Sequence, residues 1–243
     1  MQARTLTFEG HGGDEIEGYL ATPVDRGQSG SVVVLHHMPG YDEATKEITR
    51  RFAAKGYNAL CPNLHYRDAP GASPDDAAAA SRANGGVPDD RLVGDTEGAL
   101  GVLRALESAN GKVATIGYCS GGRQSFLAAC RLVLDAAVVC YGALIVGEPP
   151  EGMPKTMQPV SHLSAQLSCP VLGLFGAEDK FPTPAQVAEL EQILAAEQKK
   201  FEFVTYENAG HAFFSVDRPS YRYEAANSGW QKIWEFFDRH LAE

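Results

Sequence analysis

Short β-prone segments alternate with amphipathic helical patterns along most of the chain, and this alternation constrains the fold more than any other feature. Such an order is typical of a parallel sheet with helices on both faces. We therefore predict an α/β fold with a mostly parallel central sheet. The predicted strands are 4–8, 16–21, 31–35, 58–61, 113–116, 136–140, 170–175 and 201–206, and the last six are expected to be buried because their runs are continuously apolar. The predicted helices are 42–55, 90–108, 121–132, 184–197 and 224–240.

The two N-terminal strand segments flank a Gly12-Gly13-Asp14 turn, which predicts an antiparallel hairpin at one edge of the sheet. Residues 68–88, rich in Ala, Asp, Gly and Pro, and residues 147–159, with four prolines, are expected to form surface loops that shape a pocket. No internal repeat or composition change marks a boundary in the 243 residues. A single domain spanning 1–243 is therefore expected.

The charge balance argues against several classes of partner. A formal net charge of -10, with no basic run, opposes binding to nucleic acid and to anionic membrane surfaces.

The N-terminus lacks an apolar signal core, so the mature protein is expected to begin near Met1. Five cysteines form an odd set without metal-ligand spacing, which predicts reduced thiols in a cytoplasmic protein and no metal site.

A glycine-rich segment follows the predicted strand 113–116. It reads Gly117-Tyr118-Cys119-Ser120-Gly121-Gly122 and leads into a predicted helix. Small residues two positions before and after a nucleophile permit the sharp strand-to-helix turn that exposes its side chain. The positive end of the following helix favours a thiolate at Cys119. Cys119 is thus the predicted nucleophile; Ser120 as nucleophile would lose the glycine spacing, and a turn that merely caps the crossover is the other alternative.

An acid and a base follow the two last predicted strands. Asp179 lies after strand 170–175 and His211 after strand 201–206. In hydrolases with this strand-to-helix turn, the nucleophile, the acid and the base follow one another in that order along the chain. His211 would accept a proton or stabilise the thiolate, and Asp179 would orient the imidazole ring. Two alternatives concern the acid: Glu178 could take its role, and Asp179 could instead cap the helix after Pro182.

These residues resemble those of the dienelactone hydrolase family, within the α/β-hydrolase superfamily. The resemblance spans nearly the whole chain and rests on 32–40, Gly56-Tyr57, 61–64, the elbow 117–122, the Asp179 segment, and 210–214 leading to Arg218-Pro219. It implies an α/β-hydrolase fold and hydrolysis of an ester or lactone through an acyl-cysteine, with deacylation by water activated by His211. It also implies that no metal or organic cofactor is needed, and that the backbone N–H groups of Ser120 and Met38 form the oxyanion hole.

The chain departs from the family at the end of strand 31–35. Family members carry there a glutamate that helps to control ionisation of the catalytic thiol, whereas this chain has His36-His37, of which His37 is the closer match. An imidazole near Cys119 would favour the thiolate, so both histidines are candidates for modulating the thiol or binding substrate. The alternative for His36 is a core side chain bonded to a backbone carbonyl.

The family holds a substrate carboxylate with arginines. Arg82, Arg91, Arg123 and Arg218 are the candidates, without a clean motif match, and each is expected to be a surface residue. Tyr141 resembles a pocket-lining position, although an aromatic residue at a strand end is as often in the core. The remaining cysteines, in or beside apolar segments, are expected to be small core residues.

The fold and these residues leave the substrate open. A hydrolase of small esters or lactones, as a monomer or small homo-oligomer, is the leading hypothesis. A thioesterase or peptidase-like acyl hydrolase is the alternative within enzymes, because the scaffold does not determine the leaving group. A ligand-binding or redox-sensing protein that has lost turnover is the alternative outside them.

Overall fold

A computed structural model describes residues 1–24, 27–149 and 157–242. The strands are β1 (Gln2–Glu9), β2 (Glu15–Thr22), β3 (Ser29–Leu35), β4 (Asn58–Pro62), β5 (Ala109–Tyr118), β6 (Ala136–Cys140), β7 (Val171–Gly176) and β8 (Phe201–Tyr206). The helices are α1 (Glu43–Lys55), α2 (Pro74–Ala83), α3 (Asp89–Arg104), α4 (Ser120–Arg131), α5 (Pro184–Ala196) and α6 (Tyr223–Leu241). Short 3-10 segments occur at His11–Gly13 and Ser161–Gln166.

The eight strands form one sheet in the order β1-β2-β4-β3-β5-β6-β7-β8. β1 and β2 form the expected antiparallel edge hairpin, β2 also runs antiparallel to β4, and the strands from β4 to β8 are parallel. The mostly parallel α/β sheet is therefore confirmed. The prediction that strand 201–206 is buried is wrong: β8 is the other edge, and all of its side chains are half-buried or exposed.

Alternate side chains of the central strands enter two separate apolar cores. In β3, Val33 and Leu35 pack in one core with α3, α4 and α5, whereas Val32 and Val34 pack in the other with α1 and α6. A strand that points successive side chains to opposite faces can be apolar throughout only when both faces are covered. This explains the continuous apolar runs in the sequence and places helices on both faces, as predicted.

Helix α2 lies within the stretch that the sequence predicts to be a loop. Ser73 caps it by accepting a hydrogen bond from the backbone N–H of Asp76, and Pro74 occupies the first turn. Residues 150–156 of the other predicted loop lie outside the described residues. Among the described residues, none of the helices combines the length and apolar character that a bilayer crossing requires.

Candidate active site

Cys119 lies at the sharp turn between β5 and α4, with φ 57° and ψ -119°. A non-glycine residue in this region of backbone space is strained and persists only where the surroundings enforce it. Two glycines make the turn possible: a Cβ on Gly117 would overlap the carbonyl oxygen of Gly121, and a Cβ on Gly121 would overlap that of Leu35. The strained residue is therefore Cys119, while Ser120 begins the helix.

Neighbouring parallel strands bring His211 and Asp179 together. β7 and β8 are in register at Gly176 and Tyr206, so the loops that follow them leave the sheet side by side. His211 Nδ1 donates to Asp179 Oδ2 at 2.9 Å, and its side chain also hydrogen bonds with Cys119. Cys119, His211 and Asp179 are thus linked by contacts through the histidine ring.

The environment of His211 favours its charged form. Burial alone would lower its pKa, but hydrogen bonds to Asp179 and Cys119, together with their charges, raise the pKa to about 10. His211 is consequently protonated at neutral pH.

The structure distinguishes the alternatives for the acid. Asp179 is buried, and besides His211 its carboxylate accepts a hydrogen bond from the Phe181 backbone N–H at 2.8 Å. The following helix is capped instead by Thr183, in a capping box with Gln186. Glu178 is exposed. Asp179 is therefore the carboxylate that contacts the histidine, and it is not a helix cap.

Three cavities meet at Cys119. The aromatic cavity, about 330 Å³, also contacts His37 and His211, and its walls include Tyr118, Tyr141, Phe214 and Trp230. The Asp179 cavity, about 390 Å³, is lined by Ser120, Ala143, Leu144, Met157, Asp179, Phe181 and His211, among others. The Met38 cavity, about 310 Å³, is lined by His36, His37, Met38, His65, Arg82, Val87 and Ser120, among others. A small molecule thus has several routes to this thiol, in cavities of the size and apolar character typical of ligand sites.

The other four cysteines have a different environment. All are buried, and burial raises the pKa of Cys130 and of Cys169 to about 12 and the pKa values of Cys61 and Cys140 well above the usual value. They are small core residues, as predicted. Cys119 alone among the five is half-buried and faces the cavities.

His36 and His37 have distinct surroundings. His36 is buried, its Nδ1 donates to the His37 carbonyl at 2.8 Å, and its Nε2 accepts from the Leu64 N–H at 3.2 Å. Burial lowers the pKa of His36 to about 3, so its imidazole is neutral. His36 is therefore a core residue bonded to a backbone carbonyl, which is the alternative that the sequence left open for it. His37, in contrast, lines two cavities with Cys119, and its Nε2 lies 3.2 Å from Asp42 Oδ2.

The candidate arginines differ in what they contact. Arg82 and Arg218 are exposed and line the Met38 and aromatic cavities respectively. The expectation of a surface position is wrong for Arg123, whose side chain is 3% exposed and forms a two-point ion pair with Asp89 at 2.8 and 2.9 Å. Arg91 is likewise engaged, by Asp68 at 2.8 Å. Arg123 also lines the Met38 cavity, but both Arg91 and Arg123 are already paired with a carboxylate of the protein.

Tyr141 is both a core and a site residue. It is 2% exposed, lines the aromatic cavity, and packs edge-on against the His211 ring with centroids 5.1 Å apart. Sequence reasoning did not single out Asp42, although its position before helix α1 was a recognisable cap, and it gave no cavity role to Phe214 or Trp230. Among the described residues, no cluster of three or more His, Cys, Asp or Glu side chains is arranged to hold a metal ion.

The chain is similar to known proteins over nearly its whole length. The model of the dienelactone hydrolase family matches residues 16–241. A protein of Escherichia coli K12 named "Putative carboxymethylenebutenolidase" is 34% identical over 238 residues, covering 94% of this chain and 84% of its own. Its namesake from Methylorubrum extorquens is 33% identical over 228 residues, covering 93% of this chain and 77% of its own.

The fold comparison gives the same result. The crystal structure of a "Putative Dienelactone Hydrolase" from Klebsiella pneumoniae superposes with a TM-score of 0.84 at 29% identity, covering 98% of this chain and 99% of that one. The Pyrococcus horikoshii acylaminoacyl peptidase shares only the fold, with a TM-score of 0.73 at 17% identity, covering all of this chain and 42% of its own. With an α/β-hydrolase sheet and a family match over nearly its whole length, the chain belongs to the dienelactone hydrolase family.

Proposed function

We propose that this protein is a cysteine-dependent hydrolase of small esters or lactones. Cys119 is the nucleophile, His211 the proton-transfer group, and Asp179 the residue that orients His211. The observation that carries the proposal is the contact of His211 with both Cys119 and Asp179 at the junction of three cavities. The family match supports the hydrolase chemistry, and the environment of His211 supports a thiolate nucleophile.

Acylation follows from these positions. The Cys119 thiolate attacks the ester carbonyl carbon, a C–S bond forms, and the carbonyl oxygen acquires negative charge. The Ser120 N–H begins α4 and has no acceptor among the described residues, and the Met38 N–H lies at the edge of the same cavity; both would donate to that oxygen. His211 then gives its Nε2 proton to the leaving oxygen as the C–O bond breaks, which leaves an acyl-cysteine for water to hydrolyse.

Hydrolysis of a panel of short-chain p-nitrophenyl esters and a dienelactone tests the proposal. The wild type should turn over at least one of these substrates, and Cys119→Ala should not. A Cys130→Ala variant controls for loss of a thiol as such, because Cys130 is buried in α4 and lines none of the three cavities. Equal activity of wild type and Cys119→Ala would exclude this nucleophile; reaction of Cys119 with iodoacetamide without turnover would favour a binding or sensing role.

A further inference from the structure

The aromatic cavity has a wall of side-chain rings that begins at His211. The Tyr141 ring packs edge-on against the His211 ring, with centroids 5.1 Å apart. The next ring is that of Phe214, with its centroid 6.2 Å from that of Tyr141, and the Trp230 ring follows at 5.5 Å from Phe214. The wall therefore leads from the proton-transfer group of the proposed mechanism to helix α6.

A second set of contacts joins this wall to the proposed nucleophile. Tyr118 immediately precedes Cys119, and its ring centroid lies 5.7 Å from that of Phe214 and 6.5 Å from that of Trp230. Cys119 and all of these rings line the same cavity of about 330 Å³. A group attached to a carbonyl carbon at the Cys119 sulfur can therefore extend along the rings.

Helix α1 forms another side of the cavity. Four of its residues line the cavity at the spacing of one helix face, namely Ala44, Glu47, Ile48 and Arg51. The Ala44 side chain is small and exposed, and Ile48 is half-buried. The helix face meets the aromatic wall where the Arg51 guanidinium lies over the Trp230 ring, 4.7 Å from its centroid. Aliphatic side chains and aromatic rings thus bound the same space.

The charged side chains that line the cavity balance one another. Arg51 and Glu47 form an ion pair at 3.2 Å. Asp217 and Arg218 are adjacent and exposed on the loop after His211. Apart from the two histidines, the lining therefore carries two positive and two negative groups. An anionic substituent gains no net attraction from this set, whereas an uncharged one gives up no ionic interaction on entering.

On the basis of the proposed function, we propose that the aromatic cavity binds an uncharged aromatic ring of the substrate, carried on the acyl or the alcohol side of the ester bond. Rings pack favourably against other rings in edge-on and offset arrangements, beyond the gain from burying apolar area. Apolar surface is left for such a ring to cover, because Trp230 is only half-buried and Val216, on the cavity lining, is 70% exposed.

Two isomeric esters test for the ring and show which side of the ester carries it. Benzyl acetate has the ring on the alcohol side, and methyl phenylacetate has it on the acyl side. Each is compared with its cyclohexyl counterpart after division by the rate of alkaline hydrolysis of the same ester. The corrected kcat/KM should be roughly 2-fold to 10-fold higher for at least one ring ester. Ratios of one or below for both pairs would overturn the proposal.

Two variants test whether the aromatic cavity causes this preference. Trp230→Leu keeps an apolar side chain on α6 and should at least halve the ratio of ring ester to cyclohexyl ester. Ala44→Trp fills the cavity from an exposed position, so it does not disturb the core. It should lower kcat/KM for the favoured ring ester, relative to ethyl acetate, by roughly 10-fold or more. Unchanged ratios in both variants would overturn the assigned site.

The control variant is Ala195→Trp. It makes the same substitution at an exposed alanine on α5 that lines none of the three cavities. Its kcat/KM values for the ring ester and for ethyl acetate should equal those of the wild type. A loss of ring-ester preference as large as that of Ala44→Trp would mean that the effect does not come from the aromatic cavity.

Binding without turnover separates this proposal from the proposed function. In Cys119→Ala the favoured ring ester should change the tryptophan fluorescence, because Trp230 is one of only two tryptophans in the chain. The further substitution Ala44→Trp should weaken the binding measured by calorimetry. Turnover that requires Cys119 but does not distinguish ring from cyclohexyl esters would overturn the aromatic site alone. Turnover that Cys119→Ala leaves intact would overturn the proposed function, and the binding titration would still decide whether the ring binds in this cavity.

Discussion

His211 Nδ1 donates to Asp179 Oδ2 at 2.9 Å, and the Asp179 side chain is 1% exposed. Strand register produces this pair: the Ala177 N–H donates to the Tyr206 carbonyl at 2.9 Å, which extends the β7–β8 ladder into both loops. A buried carboxylate that accepts from Nδ1 fixes the orientation of the ring, which leaves Nε2 available to the sulfur of Cys119.

Replacing Asp179 by Asn should retain the hydrogen bond from Phe181 and remove the charge that orients His211. We expect kcat/KM for p-nitrophenyl esters to fall by roughly 100-fold to 10,000-fold, with little change in the circular dichroism spectrum. The matched control is Glu178→Gln, an exposed neighbour that should retain nearly full activity. A larger loss in Glu178→Gln would make Glu178 the functional acid.

The raised pKa of His211 makes part of the stability depend on pH. The folded-state pKa of about 10 exceeds the ordinary 6.5, so the stabilisation is fully present below pH 6.5 and is lost as the pH rises towards 10. The difference in free energy of unfolding between wild type and His211→Gln should therefore shrink from pH 6.5 to pH 10. Urea titrations across this range measure it, and a constant difference would contradict the assigned environment.

The elbow should tolerate no side chain at Gly117. Gly117→Ala is expected to lower the free energy of unfolding by at least about 2–3 kcal/mol, because backbone atoms must move to admit the Cβ. Gly101→Ala is the matched control: it lies in α3 with open space around its Cα, and should stabilise by about 0.5–1 kcal/mol. Chemical denaturation of both variants gives the comparison; equal effects would mean that the turn is not as tightly packed as described.

Arg123 should matter for stability and not for recognition of a carboxylate. Its guanidinium pairs with Asp89 and donates to the Gln158 carbonyl. Arg123→Gln should therefore lower the free energy of unfolding by about 2–3 kcal/mol. Breaking a fully buried ion pair would cost more, but Asp89 is 33% exposed. Arg82→Gln, at an exposed position, should leave stability nearly unchanged. If Arg123→Gln instead folds normally and selectively loses activity on anionic substrates, Arg123 binds substrate.

The fold was predictable because each strand is a short apolar run bounded by turn residues. The sequence predicted all eight strands and five of the six helices, and most of their ends lie within a few residues of the observed ones. The main exception is β5, which is longer than predicted at its N-terminal end. Helix α2 was missed because alanine, aspartate and proline suggested a loop, although Ser73-Pro74-Asp75-Asp76 is a helix start. The edge position of β8 was not predicted, since an apolar run does not reveal whether a further strand covers it.

Residue type and strand position predicted that Cys119, Asp179 and His211 each follow a strand of the parallel sheet, and the structure brings the three side chains together at one cavity. Their contacts depend on long-range register, which sequence patterns do not give. Asp42 shows the other limit: its capping role is local, but its contact with His37 depends on the path of the chain between β3 and α1. Arg123 was misjudged because its partner Asp89 is 34 residues away in the sequence.

The central claim is that catalysis proceeds through an acyl group on Cys119, and acid quenching during turnover of p-nitrophenyl butyrate tests it most directly. Peptide mapping by mass spectrometry should find the butyryl group on the peptide containing Cys119, with iodoacetamide labelling of that thiol blocked in proportion. Turnover with the acyl group on Ser120, or with no acyl group on any residue, would contradict the account.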